Sequence, residues 1–298
     1  MNYNGIIVIN KSKGIGSTDC VRIVKRTLNQ KRVGHSGTLD FLATGVLVIC
    51  LGKATRIIEY LQKQKKTYIA GMQFGAETDT LDIEGSIIST TNNKVSQEDL
   101  ESKISNFIGE ISQIPPMYSA LKQNGVRLYD LARAGINVER KPRNINIYDL
   151  KILDFEIDEQ KAIIMATVSA GTYIRTLIDD LAKSVNNLAY MDSLIRTQSC
   201  GFDISEAISI DNISKEELEK SIIPMENALS HLGRFKVSEL EKAKLLNGMT
   251  VLVEAKSINN EILVMDVNNN LLGIGNLFET TKGKMLKLKK HLYINENN

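Results

Sequence analysis

The feature that most constrains this chain is a glycine-rich segment that leads directly into an apolar run, VGHSGTLDFLATGVLVICLGKATR, at residues 33–56. The apolar residues 46–51 predict a buried strand. Gly37 and Gly45 allow backbone angles and close approaches that other residues do not, so a shaped loop is expected before the strand. Asp40 is the acidic residue of this loop. It is placed either to act as a nucleophile or base, or to cap a turn, which is the commoner role of Asp.

The same segment does not fit a phosphate-binding loop. The Walker pattern requires a glycine, four residues, and then Gly-Lys-Ser/Thr. Here six residues separate Gly45 from Gly52, and Ala54 occupies the position of the hydroxyl residue. A nucleotide-dependent enzyme of that class is therefore set aside.

The composition is that of an ordinary globular protein. The chain has 298 residues, 43% of them apolar and 24% charged, which fits one large domain or a large and a small one. No apolar run approaches the roughly 20 residues of a membrane span, and the first residues do not resemble a signal peptide. Cys20, Cys50 and Cys200 are far apart and predict buried thiols in a reducing compartment. No metal-ligand spacing occurs, so we expect no metal. Without a membrane span or a signal peptide, we expect a cytoplasmic protein.

The net charge of +2 conceals a gradient along the chain. The first 66 residues carry 12 Lys and Arg against 3 Asp and Glu, and the segment KGKMLKLKKH near the end contains five lysines. Segregated basic regions on a nearly neutral chain indicate either a polyanionic partner, with nucleic acid the first candidate, or a solvated basic surface.

Periodicity predicts a mixture of strands and helices followed by a β-rich end. Alternating apolar residues predict strands, and helical spacing with caps predicts helices. The predicted strands are 5–10, 67–74, 145–152 and 162–169, and the predicted helices include 54–61, 96–109 and 127–135. From residue 251 onward, short apolar runs separated by turns predict a small β-rich domain.

Two polar features allow more than one interpretation. Asp79, Asp82 and Glu84 in TDTLDIEGS suggest a cation site, but their spacing fits no EF-hand loop and favours a solvated loop. Arg175 lies where a strand becomes a helix, and its spacing favours a local ion pair with Asp179. Alternatively, Arg175 holds a distant carboxylate in its ionised form.

Several long blocks resemble one family, in the order in which that family carries them. GHSGTLDFLATGVLVICLGKATR resembles the catalytic segment of bacterial tRNA pseudouridine-55 synthases, the TruB family. KTYIAGMQFGAETDTLDIEG, IPPMYSALKQNGVRLYDLARAG and GTYIRTLIDDL resemble its later motifs, and NGIIVINKSKGIGSTD resembles its opening strand and loop. The resemblance is dense over residues 4–205. Several blocks in one order are far more specific than a single glycine-rich loop.

The resemblance implies an enzyme that isomerises uridine 55 in the T-loop of tRNA to pseudouridine. The nucleotide would be flipped out of the folded RNA, and its C1′–N1 bond would be exchanged for a C1′–C5 bond. Asp40 would be the catalytic carboxylate, attacking the sugar C1′ or the base C6, or acting as the base that starts elimination across the sugar. No cofactor is implied.

The resemblance also implies roles for other site residues. His35 would support the opened RNA loop, and Tyr68 would stack on the flipped uracil. Arg175 would pair with Asp40 and keep it ionised, while Tyr173 and Leu194 would line the pocket and exclude water.

The implied fold is mixed α/β. It would have a large, mostly antiparallel sheet with flanking helices over residues 1–234, and a small PUA-like RNA-binding domain over 235–298. The tRNA would be bound without a guide RNA or an obligate protein partner, and a monomer is expected because no exposed apolar stripe stands out. Basic side chains would contact the tRNA phosphates: Lys11, Lys53, Arg127, Lys287 and Lys289, with Lys282, Lys284 and Lys290 beside them.

Two residues depart from the pattern of the family. Ser12 and Phe41 stand where prolines are usual, which predicts looser loops or a displaced Asp40. The alternative function is a non-catalytic tRNA-binding protein that acts as a folding chaperone. Asp40, Tyr68 and Arg175 together favour the enzyme, because a binding protein has no need of a carboxylate beside a cation.

Overall fold

Two β-sheets, one of ten strands and one of five, form the framework of the protein in a computed structural model. The structure describes residues 2–254, 261–281 and 283–294. The strands are β1 (Gly5–Lys11), β2 (Val33–His35), β3 (Thr44–Leu51), β4 (Lys66–Phe74), β5 (Ala76–Thr78), β6 (Ile87–Thr90), β7 (Gly109–Gln113), β8 (Lys122–Gln123), β9 (Val126–Arg127), β10 (Arg143–Glu156), β11 (Lys161–Val168), β12 (Ala189–Ser199), β13 (Phe202–Asp203), β14 (Ile208–Ser209), β15 (Gly233–Lys236), β16 (Val251–Leu252), β17 (Glu261–Met265), β18 (Leu271–Thr280) and β19 (Gly283–His291).

Most helices lie between strands of the larger sheet or between the two sheets along the chain, and α8 lies between the first two strands of the smaller sheet. They are α1 (Ser17–Thr27), α2 (Ile58–Gln62), α3 (Gln97–Ile104), α4 (Leu128–Arg133), α5 (Ile174–Ser184), α6 (Lys215–Lys220), α7 (Met225–Ala228) and α8 (Glu239–Leu246). Ser96 caps α3 through the predicted capping box with Asp99. The predicted helix 96–109 is shorter than expected, because a 3₁₀ turn follows at Ser105–Phe107 and β7 begins at Gly109.

The larger sheet is mixed but mostly antiparallel, as expected. Its spatial order is β14-β1-β3-β12-β4-β11-β10-β7, with β2 paired to β3 and β13 paired to β12. The pairs β1–β14 and β3–β12 are parallel, and the remaining pairs of this sheet are antiparallel. The glycine-rich loop therefore enters the middle of the sheet at β3, beside β12.

Both faces of β1 and β3 are buried, which explains their continuous apolar runs. On β3, Leu47 and Ile49 belong to the core that packs against α1 and α5. Val46 and Val48 face the opposite side and pack against the segment around α2 and the smaller sheet. A strand covered on both sides has no need of alternating polar residues.

The smaller sheet is joined to the larger one by a continuous apolar core and by polar contacts. Leu263 and Ile274 of the smaller sheet belong to the same core as Val48. Lys290 forms an ion pair with Glu59 at 2.5 Å. The sheet order is β15-β17-β18-β19-β16, so β15 crosses the predicted boundary between residues 234 and 235. The PUA-like assignment and the division into two domains stay predictions.

Within the described residues, every helix is too short or too polar to span a bilayer. The three cysteines are buried and free, as predicted.

Candidate active site

An open cleft of about 1690 Å³ lies over the middle of the larger sheet. Five of the residues expected in a catalytic pocket line it, and they come from four separate segments of the chain. They are Asp40, Tyr68, Tyr173, Arg175 and Leu194.

Asp40 lies within the loop between β2 and β3, which is fixed on both sides of it. Before it, the backbone N–H of Leu39 donates to the hydroxyl of Ser17 at 2.8 Å, and Leu39 is buried in the core. After it, the N–H of Ala43 donates to the carbonyl of Asp40 at 3.2 Å. The Asp40 side chain is 40% exposed, so it faces the cleft while its backbone is held.

Arg175 provides the cation beside Asp40. Its Nη2 lies 3.2 Å from Asp40 Oδ2, although the two residues are far apart in sequence. The expected local pair with Asp179 is wrong, because Asp179 instead pairs with Lys183 at 2.7 Å. Arg175 lies in the first turn of α5, and the start of this helix lines the cleft beside Asp40. The pair implied by the resemblance is therefore the one that forms.

Arg175 is held by two segments besides the Asp40 loop, one at residues 80–82 and one at Tyr118. Its Nη1 lies 3.3 Å from Asp82 and donates to the carbonyl of Thr80 at 3.2 Å. Its Nη2 also donates to the carbonyl of Tyr118 at 2.9 Å. Only 8% of the Arg175 side chain is exposed, so this buried cation is compensated on every side.

Asp82 is a site residue that sequence reasoning missed. It is 4% exposed, so the expected solvated loop is wrong at this position. Its Oδ1 accepts from the Thr80 hydroxyl at 2.6 Å and from the Glu84 N–H at 3.1 Å. The available signal was an acid flanked by the apolar residues Leu81 and Ile83 in a segment that the resemblance covers.

Tyr68 and Leu194 project from neighbouring strands into the cleft. Tyr68 on β4 is 8% exposed and Leu194 on β12 is 7% exposed. Tyr173 precedes α5, and its backbone N–H and carbonyl are bonded to the Gln113 side chain at 2.8 and 3.0 Å. Burial raises the pKa of Tyr173, which keeps its phenol neutral at physiological pH. Tyr68, Tyr173 and Leu194 thus place aromatic and apolar side chains in the cleft that also holds the ion-paired Asp40.

His35 lies apart from this group. It ends β2, its Nδ1 accepts from the N–H of Gly37 at 3.3 Å, and it does not line the cleft. Burial lowers the pKa of His35, so its imidazole is neutral at pH 7. Its expected role toward the RNA stays a prediction.

The two residues that replace prolines are both held in place. The carbonyl of Phe41 accepts from the N–H of Gly14 at 2.8 Å, and its ring packs against Gly16. The hydroxyl of Ser12 donates to Asp211 at 2.5 Å. The Phe41 side chain is exposed and lines the cleft beside Asp40.

Comparison with known proteins decides the family. A family model described as the N-terminal domain of TruB family pseudouridylate synthases matches residues 25–174. The chain is 41% identical over 295 residues to a tRNA pseudouridine synthase B of Clostridium perfringens, covering 97% of this chain and 99% of that protein. It is 39% identical to one of Clostridium kluyveri, covering 96% and 99%. The chain belongs to the TruB family of pseudouridylate synthases.

Solved structures give the same fold for this TruB family member. A chain in the crystal structure of a Cbf5-Nop10-Gar1 complex matches it with a TM-score of 0.73 at 25% identity, over 97% of this chain and 84% of that one. A chain of an H/ACA RNP bound to a substrate RNA containing 2′-deoxyuridine matches with a TM-score of 0.73 at 23% identity, over 98% and 86%. The similarity extends through the smaller sheet.

The basic residues expected to contact RNA differ in their surroundings in this TruB family member. Lys11 is 0% exposed, and its amine donates to the carbonyls of Ser12 and Ile15, so the expected phosphate contact is wrong. The amine of Lys53 donates to the carbonyl of Tyr293 and ties the two sheets together.

The other expected RNA contacts lie nearer to the surface. Arg127 is exposed and lines the cleft, and Lys287 is exposed on β19. Lys289 pairs with Glu261 at 2.7 Å, with half of its side chain exposed. Lys282 lies outside the described residues.

Proposed function

We propose that this enzyme isomerises uridine 55 in the T-loop of tRNA to pseudouridine, with Asp40 as its catalytic carboxylate. The relatives at about 40% identity bear the name tRNA pseudouridine synthase B, which supports a tRNA substrate. The enzyme acts as a cytoplasmic monomer, without a guide RNA, a protein partner, a metal or a cofactor.

The ion pair between Asp40 and Arg175 is the observation that carries the proposal. Arg175 Nη2 lies 3.2 Å from Asp40 Oδ2, so the guanidinium balances the charge of the carboxylate and orients it toward the cleft. A nucleophile or base has to be held in one orientation to be effective, because correct placement supplies much of the rate. A carboxylate that only capped a turn would need no buried cation.

The walls of the cleft suit a flipped pyrimidine nucleotide. Tyr68 offers an aromatic face on which a single base can stack. Leu194 and Tyr173 limit the access of water on the other sides. With water limited, the detached uracil stays in place long enough to rejoin the sugar through C5.

The reaction needs one carboxylate and a retained base. The C1′–N1 bond breaks, the uracil turns so that C5 faces C1′, a C1′–C5 bond forms, the proton on C5 is lost to solvent, and the freed N1 takes up a proton. Asp40 starts this sequence by attack on C1′, by attack on C6, or as the base of an elimination. Each of these routes places its carboxylate against the nucleotide.

The test is the release of tritium from a tRNA transcript labelled at uracil C5. Wild-type protein should release tritium from the transcript and should release none when uridine 55 is replaced by cytidine. Asp40→Asn keeps the size of the side chain and should release none from either RNA. Tritium release by Asp40→Asn at the wild-type rate would contradict the catalytic role of Asp40. If the wild-type protein bound the tRNA but released no tritium, the folding chaperone would be favoured.

A further inference from the structure

A second buried guanidinium lies against the loop that carries Asp40 and belongs to the lining of the cleft. Arg196 on β12 is 1% exposed. Its Nε donates to the carbonyl of Val46 at 2.7 Å, its Nη1 to that of Thr38 at 3.3 Å, and its Nη2 to that of Gly37 at 3.2 Å. Gly37 and Thr38 lie just before Asp40, whereas Val46 lies in the strand that follows the loop. One side chain therefore ties together the two ends of the loop.

The backbone of Arg196 restrains the same loop a second time. In the sheet, Arg196 on β12 is paired with Tyr68 on β4 on one side and with Gly45 on β3 on the other. Gly45 has a φ of +101°, and a Cβ at that position would lie 2.3 Å from the carbonyl oxygen of Arg196. The strand backbone thus fixes where the loop ends, while the side chain fixes where it begins.

Because Arg196 is charged and buried, it favours the loop conformation in which the carbonyls accept its hydrogen bonds. The hydrogen bonds of its guanidinium that the structure describes all end on carbonyl oxygens. A buried cation loses its hydration and requires compensation from polar partners. Two of these three partners are loop carbonyls, which point at the guanidinium only in the observed conformation. Burial of the charge is therefore coupled to one conformation of the loop.

We propose that Arg196 is a positioning residue, which holds the loop so that Asp40 meets the flipped nucleotide. This inference rests on the proposed catalytic role of Asp40. Arg196 acts through Gly37 and Thr38. Arginine is required rather than lysine, because three separate nitrogens reach three carbonyls on different sides, whereas lysine has a single nitrogen. A carboxylate displaced by about 1 Å loses on the order of 100-fold in rate.

The test uses the full chain with a tRNA transcript under single-turnover conditions, with enzyme in excess. Arg196→Lys keeps the charge, and Arg196→Met keeps an apolar stem of similar length. Both should lower the rate constant of tritium release by roughly 100-fold while tRNA affinity stays at the wild-type value. The control is Thr197→Val, which removes the neighbouring hydrogen bond to the carbonyl of Thr67 on the same strand, at 3.3 Å, without touching the loop. It should react at the wild-type rate.

The amplitude of the single turnover separates positioning from folding. A purely structural role would leave fewer active molecules, so the amplitude would fall and the rate constant would not. A wild-type rate constant in Arg196→Lys, at any amplitude, overturns the inference and leaves the role of Asp40 intact.

Hydrogen–deuterium exchange gives a readout that does not depend on catalysis. The peptide containing residues 36–44 should exchange faster in Arg196→Lys than in wild type, and peptides from α5 should not change. Unchanged exchange in the loop would also overturn the inference. Activity retained by Asp40→Asn would instead overturn the proposed function, so the two failures are distinct.

Discussion

Asp40 and Asp82 are joined through one guanidinium, that of Arg175, which lies 3.2 Å from the first carboxylate and 3.3 Å from the second. Their surroundings differ, since 40% of the Asp40 side chain is exposed and only 6% of the Asp82 side chain is. Asp82 also accepts a hydrogen bond from Thr80. One acid therefore faces the substrate space, while the other completes the buried surroundings of the cation.

This difference predicts that Asp82 contributes more to stability than Asp40, whereas Asp40 is required for activity. Asp82→Ala removes one partner of a buried ion pair and should lower the free energy of unfolding by about 3 kcal/mol. Asp40→Ala removes a half-exposed carboxylate and should lower it by about 1 kcal/mol or less, while abolishing pseudouridine formation. Urea unfolding and tritium release measure the two quantities. Equal losses of stability in the two variants would contradict this division.

The close approach of β3 and β12 predicts a large effect of a single methyl group. Gly45→Ala adds a Cβ at 2.3 Å from the carbonyl of Arg196, at a φ of +101°. Gly109 has a φ of +103° but nothing within 4 Å of its Cβ position, so Gly109→Ala is a matched control for the backbone angle. The control should cost about 1 kcal/mol of unfolding free energy, and Gly45→Ala about 3 kcal/mol or more.

Comparable losses from the two alanines would show that β3 and β12 can separate at little cost. Urea unfolding of both variants distinguishes these cases. Activity per folded molecule should fall in Gly45→Ala alone.

Local patterns predicted the elements well, because strands and helices depend on neighbours in sequence. The apolar run 46–51 was expected to be buried, and the capping box at Ser96 was visible in the sequence. The same periodicity also explains Lys11, which shares one face of β1 with Ile7 and Ile9 and is therefore turned inward. From its charge alone, Lys11 was predicted to lie at the protein surface.

Long-range ion pairs could not be predicted from spacing. Helical spacing offers Arg175 only local partners such as Asp179, whereas its actual partners lie on two loops far away in sequence. The resemblance supplied Asp40 as a partner but left Asp82 unassigned. The contacts of Arg196 with loop carbonyls leave no pattern in the sequence, because a carbonyl is present at every residue.

Asp180 on α5 predicts a pH-dependent change in stability. Burial, and then the neighbouring charge of Asp179, raise the pKa of Asp180 to about 6 from 3.8. The folded state therefore binds a proton more tightly than the unfolded state does, and this contribution to stability is present at low pH and is lost as the pH rises from about 4 to 6. Asp180→Asn removes the cost of the buried charge and should stabilise the protein at pH 7.5 by roughly 1 kcal/mol, after allowance for screening by solvent.

The gain from Asp180→Asn should shrink below pH 4, where the wild-type carboxyl is already neutral. Urea unfolding at pH 7.5 and at the lowest pH that keeps the protein folded measures it. Asp158→Asn changes an exposed acid and serves as the control. A gain from Asp180→Asn that did not depend on pH would contradict the titration of this group.

The lysines of β19 predict a difference in how strongly salt weakens tRNA binding. Lys287 is exposed, whereas the amine of Lys289 is engaged by Glu261 at 2.7 Å and Lys11 is buried. A lysine that contacts a phosphate releases counterions on binding, so Lys287→Gln should reduce the slope of log affinity against log salt by about one. Lys11→Met should leave the slope unchanged, because its amine is bonded to backbone carbonyls. Filter binding of a tRNA transcript over a range of salt concentrations gives the slopes, and an unchanged slope in Lys287→Gln would place the RNA away from this strand.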